Sequence, residues 1–315
     1  MPALPRGVYF FSLADPDALG QARYQRSAFS GRGKECGRGI LYSKKAGFLD
    51  LAHVRDTMDW SYFVSQRLEE ALHKGEQTVA IPRSADSVFQ LTLAYPQNWK
   101  RLPVVDRQET VREASIEIAH YVVFHLMTWH EIATWFGYGR SWIWTEKPSA
   151  FTYDDTMSHV VGWRAADLAL RNTTGNWDRD ATRGLEMALA EVEVVSKAEA
   201  AAAVTSVENR WWRRGVCLKR MIDIGEREGM IYPWLVAAPE GVERPQAFAV
   251  PEPPVGLPSL NCLTVRPSPK LLARIRESCP LPDASIDIRA TYSLLLETIR
   301  YEVKKELGPY ADQMD

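Results

Sequence analysis

Between Glu117 and Phe136 the chain is almost wholly apolar, broken by five acidic or histidine side chains: Glu117, His120, His125, His130 and Glu131. Nothing in Thr110–Tyr138 breaks a helix before Gly137. A helix that is apolar on every face must be covered on every face, so the sequence predicts a buried helix at the centre of a domain. A membrane span needs about 20 apolar residues with few charges, and this run carries too many. At about 100° per residue, Glu113, His120 and Glu131 fall on nearly one line, flanked by Glu117, Thr134 and His130, while His125 points elsewhere. Carboxylates and imidazoles are costly to bury unless paired, hydrogen-bonded or bound to metal. The polar line through this helix is therefore the strongest functional signal in the chain.

The rest of the chain arranges itself round that helix. Asp50 is an N-cap for a helix over Leu51–His73 that Lys74 and Gly75 end. Thr78–Ile81 and Val88–Tyr95 read as an antiparallel pair, Gly7–Leu13 and Ile40–Tyr42 as short strands, and Asp15–Gly39 as a Gly-rich loop in which Arg32, Lys34 and Arg38 could touch an anion. A loop with Trp142, Trp144 and Glu146 precedes a helix from about Asp154, with Thr152 as N-cap, Asp155 in the capping-box position, and Gly162 marking close helix packing. Asp178–Arg214 has a long helical pattern, ending in a Trp211–Arg214 cluster explained by cation–π contact or an Arg stem lying over core Trp. Val216–Gly225 reads as a short helix, Met230–Val236 as extended, 237–260 as a Pro-rich surface-wrapping segment, Pro269–Cys279 as a short helix, Ile286–Arg289 as strand, and Tyr292–Leu307 as a final amphipathic helix. The expected fold is one large domain over residues 1–315, α+β and predominantly helical, with helix 110–138 at its centre and a small antiparallel strand element.

Three constellations carry chemistry. His130-Glu131 begins the zinc-peptidase pattern HExxH, but Thr134 stands where the second His belongs. His130 can still bind metal together with His53 or a carboxylate from another helix. Glu117-x-x-His120 has di-iron spacing, without a second pair to complete it. The third is a metal-free acid–base site, with His53 or His130 as base, Asp50 or Glu131 orienting it, and Arg55 holding an anion. No Gly-x-Ser-x-Gly elbow supports a serine nucleophile. The expected site joins Asp50, His53, His130 and Glu131 between the first two long helices, with Glu131, His53, Asp50 and Arg55 as catalytic candidates and His53 and His130 as the metal nitrogens. Antiparallel packing would bring the start of the first helix to the end of the second.

A net charge of -2, from 38 basic and 40 acidic residues, gives no electrostatic case for a nucleic-acid partner. Eleven Trp suit an aromatic core, or a pocket for a ring-bearing or sugar-like ligand. Cys36, Cys217, Cys262 and Cys279 show no close pair, which excludes a zinc knuckle and leaves disulfides and buried thiols both open. The N-terminus, MPALPRGVYFF, has no long apolar core. The expected location is cytoplasmic, or periplasmic or extracellular if the chain is a trimmed mature form.

Three blocks carry a resemblance to a bacterial family of uncharacterised proteins with exported or lipid-anchored members. They are Gly47, Phe48, Asp50, His53 and Arg55; Trp129 to Ile132 with Thr134 to Gly137; and Ser149 to Thr152 with Asp155, Ser158 and Gly162. A later match at Ile222–Gly225, with Pro233 and Trp234, also fits. The resemblance implies weight on Asp50, His53, Arg55, His130, Glu131 and Asp155. It takes weight off His159, where an Asn is expected, and the chain has Tyr153-Asp154 in place of Pro-Glu. The functional expectation is a hydrolase, with a divalent metal such as zinc as its candidate cofactor and a small molecule, peptide or glycan as its ligand. The alternative is a non-catalytic binding or envelope-associated protein whose polar residues form a buried structural network.

Overall fold

The computed structural model describes residues 12–24, 39–84, 87–138, 147–214, 216–237, 246–256, 258–281 and 283–308. The expectations for residues 7–11, for Arg32, Lys34, Arg38 and Cys36, and for Trp142, Trp144 and Glu146 lie outside them. In chain order the elements are β1 (Ile40–Ser43), β2 (Gly47–Asp50), α1 (Leu51–Lys74), β3 (Thr78–Ser84), β4 (Ser87–Ala94), α2 (Val104–Trp135), α3 (Asp155–Arg171), α4 (Trp177–Glu191), α5 (Lys197–Ser206), β5 (Trp212–Arg213), β6 (Val216–Cys217), β7 (Met230–Ile231), β8 (Phe248–Ala249), β9 (Ser259–Pro267), α6 (Pro269–Ser278), β10 (Ile286–Asp287) and α7 (Ile288–Leu307). The fold is predominantly helical, with α2 enclosed by flanking helices and small antiparallel sheets.

Local signals set most helix ends. Asp50 caps α1 by accepting from the Ala52 N–H at 2.8 Å, which satisfies one donor that the first turn leaves orphaned. Gly75 ends it in the left-handed region at φ 70, its N–H turned back to Ala71 and Leu72. α2 starts at Val104 rather than Thr110, behind Pro103, with Asp106 in its first turn. Val104 and Val105 are exposed, so this extension runs out past the core, where no hydrophobic period reveals it. Its 32 residues span about 48 Å.

Every face of α2 is covered, which is why its sequence is apolar all round. α1 and α3 pack along it. On another side the Trp129 indole N–H donates to Ser87 Oγ of β4 at 2.9 Å. α7 closes a further face, with the Tyr292 hydroxyl donating to the His125 carbonyl at 3.0 Å and Trp135 Nε1 to Glu302 at 2.6 Å. Gly162 lets α3 approach α1: a Cβ there would stand 2.5 Å from the Val54 carbonyl oxygen and 2.7 Å from Thr57 Cβ.

The polar line on α2 faces α3, and the two helices run antiparallel. Glu113 pairs with Arg171, His120 Nε2 lies 3.8 Å from Asp167 Oδ1, and Glu131 Oε1 lies 3.6 Å from His159 Nε2. Glu117 is exposed, which removes the di-iron pairing with His120. His125 turns away to the rings of Tyr121, Phe124 and Tyr292.

Several expectations fail. The pattern over Asp178–Arg214 is not one helix. α4 ends at Glu191, Glu193 takes φ 57, and the chain pairs with β1 through Val195 N–H to the Tyr42 carbonyl, 2.9 Å. Ser196 and Glu199 then form a full capping box that starts α5. Val192, Val194 and Val195 are β-branched and lower the helix propensity where the break falls. The helix expected over Val216–Gly225 is absent: β6 pairs with β5, and Met221 N–H donates to the Phe151 carbonyl at 2.8 Å, anchoring this strip to the entry of α3. The β3–β4 pair is antiparallel as expected but belongs to a four-stranded sheet, order β10-β9-β4-β3. β9, from the C-terminal part of the chain, was not foreseen. In the Pro-rich segment, β8 pairs with β7, and the described residues 251–256 are half-buried or exposed. Thr152 is not the cap of α3; Asp154 holds that position. Among the described cysteines, Cys217, Cys262 and Cys279 are free. No helix among the described residues is long and apolar enough to cross a membrane.

Candidate functional site

The start of α1, the end of α2 and the start of α3 meet in one buried polar cluster. α1 brings Asp50 and His53, α2 brings His130 and Glu131, and α3 brings Asp154, Asp155 and His159. All seven are buried, from 0% exposure at Asp154 and Asp155 to 9% at His130. Backbone and hydroxyl bonds lock the three ends together. Ser158 Oγ accepts from the Asp50 N–H at 2.7 Å and donates to the Asp154 carbonyl at 2.6 Å. The Phe151 N–H donates to Glu131 Oε2 at 3.0 Å, the Thr152 N–H to Asp155 Oδ2 at 2.6 Å, and Thr152 Oγ1 to Asp154 Oδ1 at 2.8 Å.

Each carboxylate thus has one oxygen tethered and one turned inward. Glu131 Oε1, Asp154 Oδ2 and Asp155 Oδ1 are buried without a hydrogen-bond partner. His53 Nδ1 lies 3.1 Å from Asp50 Oδ2 and 3.4 Å from Asp155 Oδ1, yet the angles give it a hydrogen bond to neither. Thr57 Oγ1 donates to the His53 carbonyl at 2.8 Å and stands 3.2 Å from His159 Nδ1. Its proton is committed, so it accepts from the Nδ1–H of His159.

The electrostatics are strongly perturbed. Burial alone would push the His53 pKa down, but Asp50, Asp155 and Glu131 outweigh it and hold it well above its ordinary value. Burial raises Glu131, while His159 beside it and the charges of His130 and His53 pull it down to about 2. Asp154 is pushed up to about 7, first by burial and then by Asp50. Asp155 is raised well above its ordinary value, first by burial and then by Glu131 and Asp154. The largest charge effects on these three acids come from the histidines, from Asp50 and from one another.

Such a donor set fits a divalent cation. Ligand atoms of His53, His130 and Glu131 lie within 4.8 Å of one another, as do those of Asp50, His53 and Asp154. Ligands held about 2.0–2.1 Å from zinc sit about 3.3 Å apart in a tetrahedron. His53 Nδ1 and Asp50 Oδ2, 3.1 Å apart, are near that spacing, as are Glu131 Oε1 and His159 Nε2 at 3.6 Å. Unpartnered inward atoms at ligand spacing are what an ion or a set of extra protons would satisfy.

Asp50, His53, His130 and Glu131 are therefore brought together. Arg55 is not: two residues on from His53, it leaves the other side of α1, and Nη2 donates to the Leu19 carbonyl at 2.7 Å. An anion-holding role for Arg55 in this cluster has no geometric support. Asp154 and His159 are the members that sequence reasoning missed. His159 had been discounted, yet it reaches Glu131 one turn beyond Asp155, on the face where Asp155 enters the cluster. The signal available was the Asp155-x-x-x-His159 spacing, which puts both side chains on one helical face.

A family described as protein of unknown function (DUF4056) matches residues 6–223. That span contains every residue of the cluster and ends before β7. No curated protein and no solved structure matches the chain.

Proposed function

We propose that this chain, which belongs to the DUF4056 family, binds a divalent metal ion through His53, His130 and Glu131. One observation carries the reading: a carboxylate oxygen of Glu131 lies within 4.8 Å of ring nitrogens of His53 and His130, and Glu131 Oε1 is buried without a hydrogen-bond partner. Supporting groups stand where metal sites need them. Asp50 faces His53 Nδ1, as carboxylates face metal-bound histidines, and the Phe151 N–H holds the other oxygen of Glu131. His159, 3.6 Å from that oxygen, is the natural fourth donor. With the ligands no more than 9% exposed, the site suits ion binding that ties three helices together, in preference to turnover of a large substrate. On this reading Asp50, His53 and Glu131 act as ligands or as supports for ligands.

The hydrolase reading rests on one feature. Two His and one Glu leave a fourth position open, and zinc sites of that composition activate water. In that case Glu131 and His53 hold the ion, and a substrate must reach it along a path that opens the cluster.

Metal analysis of chain purified without chelator tests the proposal. We expect at least about one ion per chain in wild type, as a structural or catalytic site holds, and loss of one ion in His130→Ala and in Glu131→Gln. Wild-type chain with no stoichiometric metal, and no uptake of Zn2+ or Mn2+ on titration, overturns it.

A further inference from the structure

Four carboxylates, Asp50, Glu131, Asp154 and Asp155, are 0–4% exposed within this one cluster. Carboxylates gathered in a low-dielectric interior are expensive without cations beside them. The cluster is also too wide for one ion. Its donors fall into two groups with only His53 in common: His53, His130 and Glu131 on the α2 side, and Asp50, His53 and Asp154 on the α3 side. In the second group Asp154 Oδ2 is fully buried and has no partner. Beside it, Asp155 Oδ1 is likewise unpartnered and lies 3.4 Å from His53 Nδ1.

We propose that a second divalent cation binds between Asp50, Asp154 and His53, making the cluster a two-metal centre. This rests on the reading of the first site as a metal site. His53 serves both ions, one from each ring nitrogen. The second ion takes the place of the Nδ1 proton, which leaves to water. Asp155 Oδ1 adds a further oxygen within reach. Oxygen donors outnumber nitrogen here, whereas the first site has two imidazoles and one carboxylate. Hard, oxygen-preferring ions such as Mn2+ or Mg2+ therefore suit the second position, and Zn2+ suits the first.

The test counts ions in the full chain. Chain stripped with chelator is reloaded with Zn2+ and Mn2+ together, desalted and analysed for both metals, in wild type, His130→Ala and Asp154→Asn. Wild type should hold one Zn2+ and one Mn2+. Asp154→Asn should lose the Mn2+ and keep the Zn2+; His130→Ala should lose the Zn2+ first. The Asn amide oxygen can still accept from Thr152 Oγ1, so the entry of α3 keeps its tether. The thermal midpoint of metal-free Asp154→Asn, no lower than that of metal-free wild type, verifies that the variant folds. If it does not fold, Asp50→Asn takes its place in the count. A single ion in wild type, still present in Asp154→Asn, overturns the second site and leaves the first standing. Two ions retained in Asp154→Asn also overturn it. No ion in any of the three removes both readings.

Discussion

Gly162→Ala should destabilise the fold although it improves a helix. In an exposed helix the change gains about 1 kcal/mol from lower backbone entropy in the unfolded chain. Here the new methyl would sit 2.5 Å from the Val54 carbonyl oxygen and 2.7 Å from Thr57 Cβ. Both belong to the body of α1 and neither is the end of a flexible side chain, so relief requires α1 and α3 to separate by most of an ångström. Adding one carbon to a packed interior costs about 1–3 kcal/mol, and two rigid contacts put this site at the upper end. The net expectation is a loss of about 2 kcal/mol, the difference between overpacking and propensity. Urea unfolding of the metal-free protein measures it as a lower midpoint with an unchanged slope. The same separation would carry Asp50 and His53 away from Asp155 and Glu131, so metal uptake should weaken in parallel. A Gly162→Ala protein as stable as wild type, or more stable, would refute the close-approach argument.

Chelator should lower the thermal midpoint of wild type more than that of His130→Ala; with the ion at His130 at a hundred times its Kd the difference corresponds to about 2.7 kcal/mol. In metal-free protein Asp154 titrates near 7, above its unfolded value, so the folded state binds the extra proton and stability falls as pH rises from about 4 to 7. Asp154→Asn should flatten that fall, and unchanged pH dependence of urea midpoints would sink the assignment. Trp129→Ala empties a fully enclosed site and leaves Ser87 Oγ without its donor, at a cost of about 3–5 kcal/mol, read as a lower midpoint; a loss below about 1 kcal/mol would mean that α2 is not buried there.

What the sequence determined by itself is local. Caps act within a turn, so Asp50 and Gly75 marked α1. Periodicity acts within a few residues, so the apolar run located α2, and its polar side chains fell on one line before any partner was known. Alternation gave the β3–β4 pair in the same way. The tertiary structure decided what that line faces. Glu113, His120 and Glu131 meet α3, from 28 to 58 positions away in sequence, because Gly162 lets α3 seat against α1. That seating turned Asp154 and His159, unremarkable at the start of a helix, into members of a buried cluster, and sent Arg55 to Leu19. β9 joined β4 across more than 160 residues through backbone pairing that no local pattern encodes. A residue's period and cap are properties of its neighbours in the chain. Its charge state and its capacity to hold an ion belong to whatever distant groups share its low-dielectric space, and those the fold alone supplies.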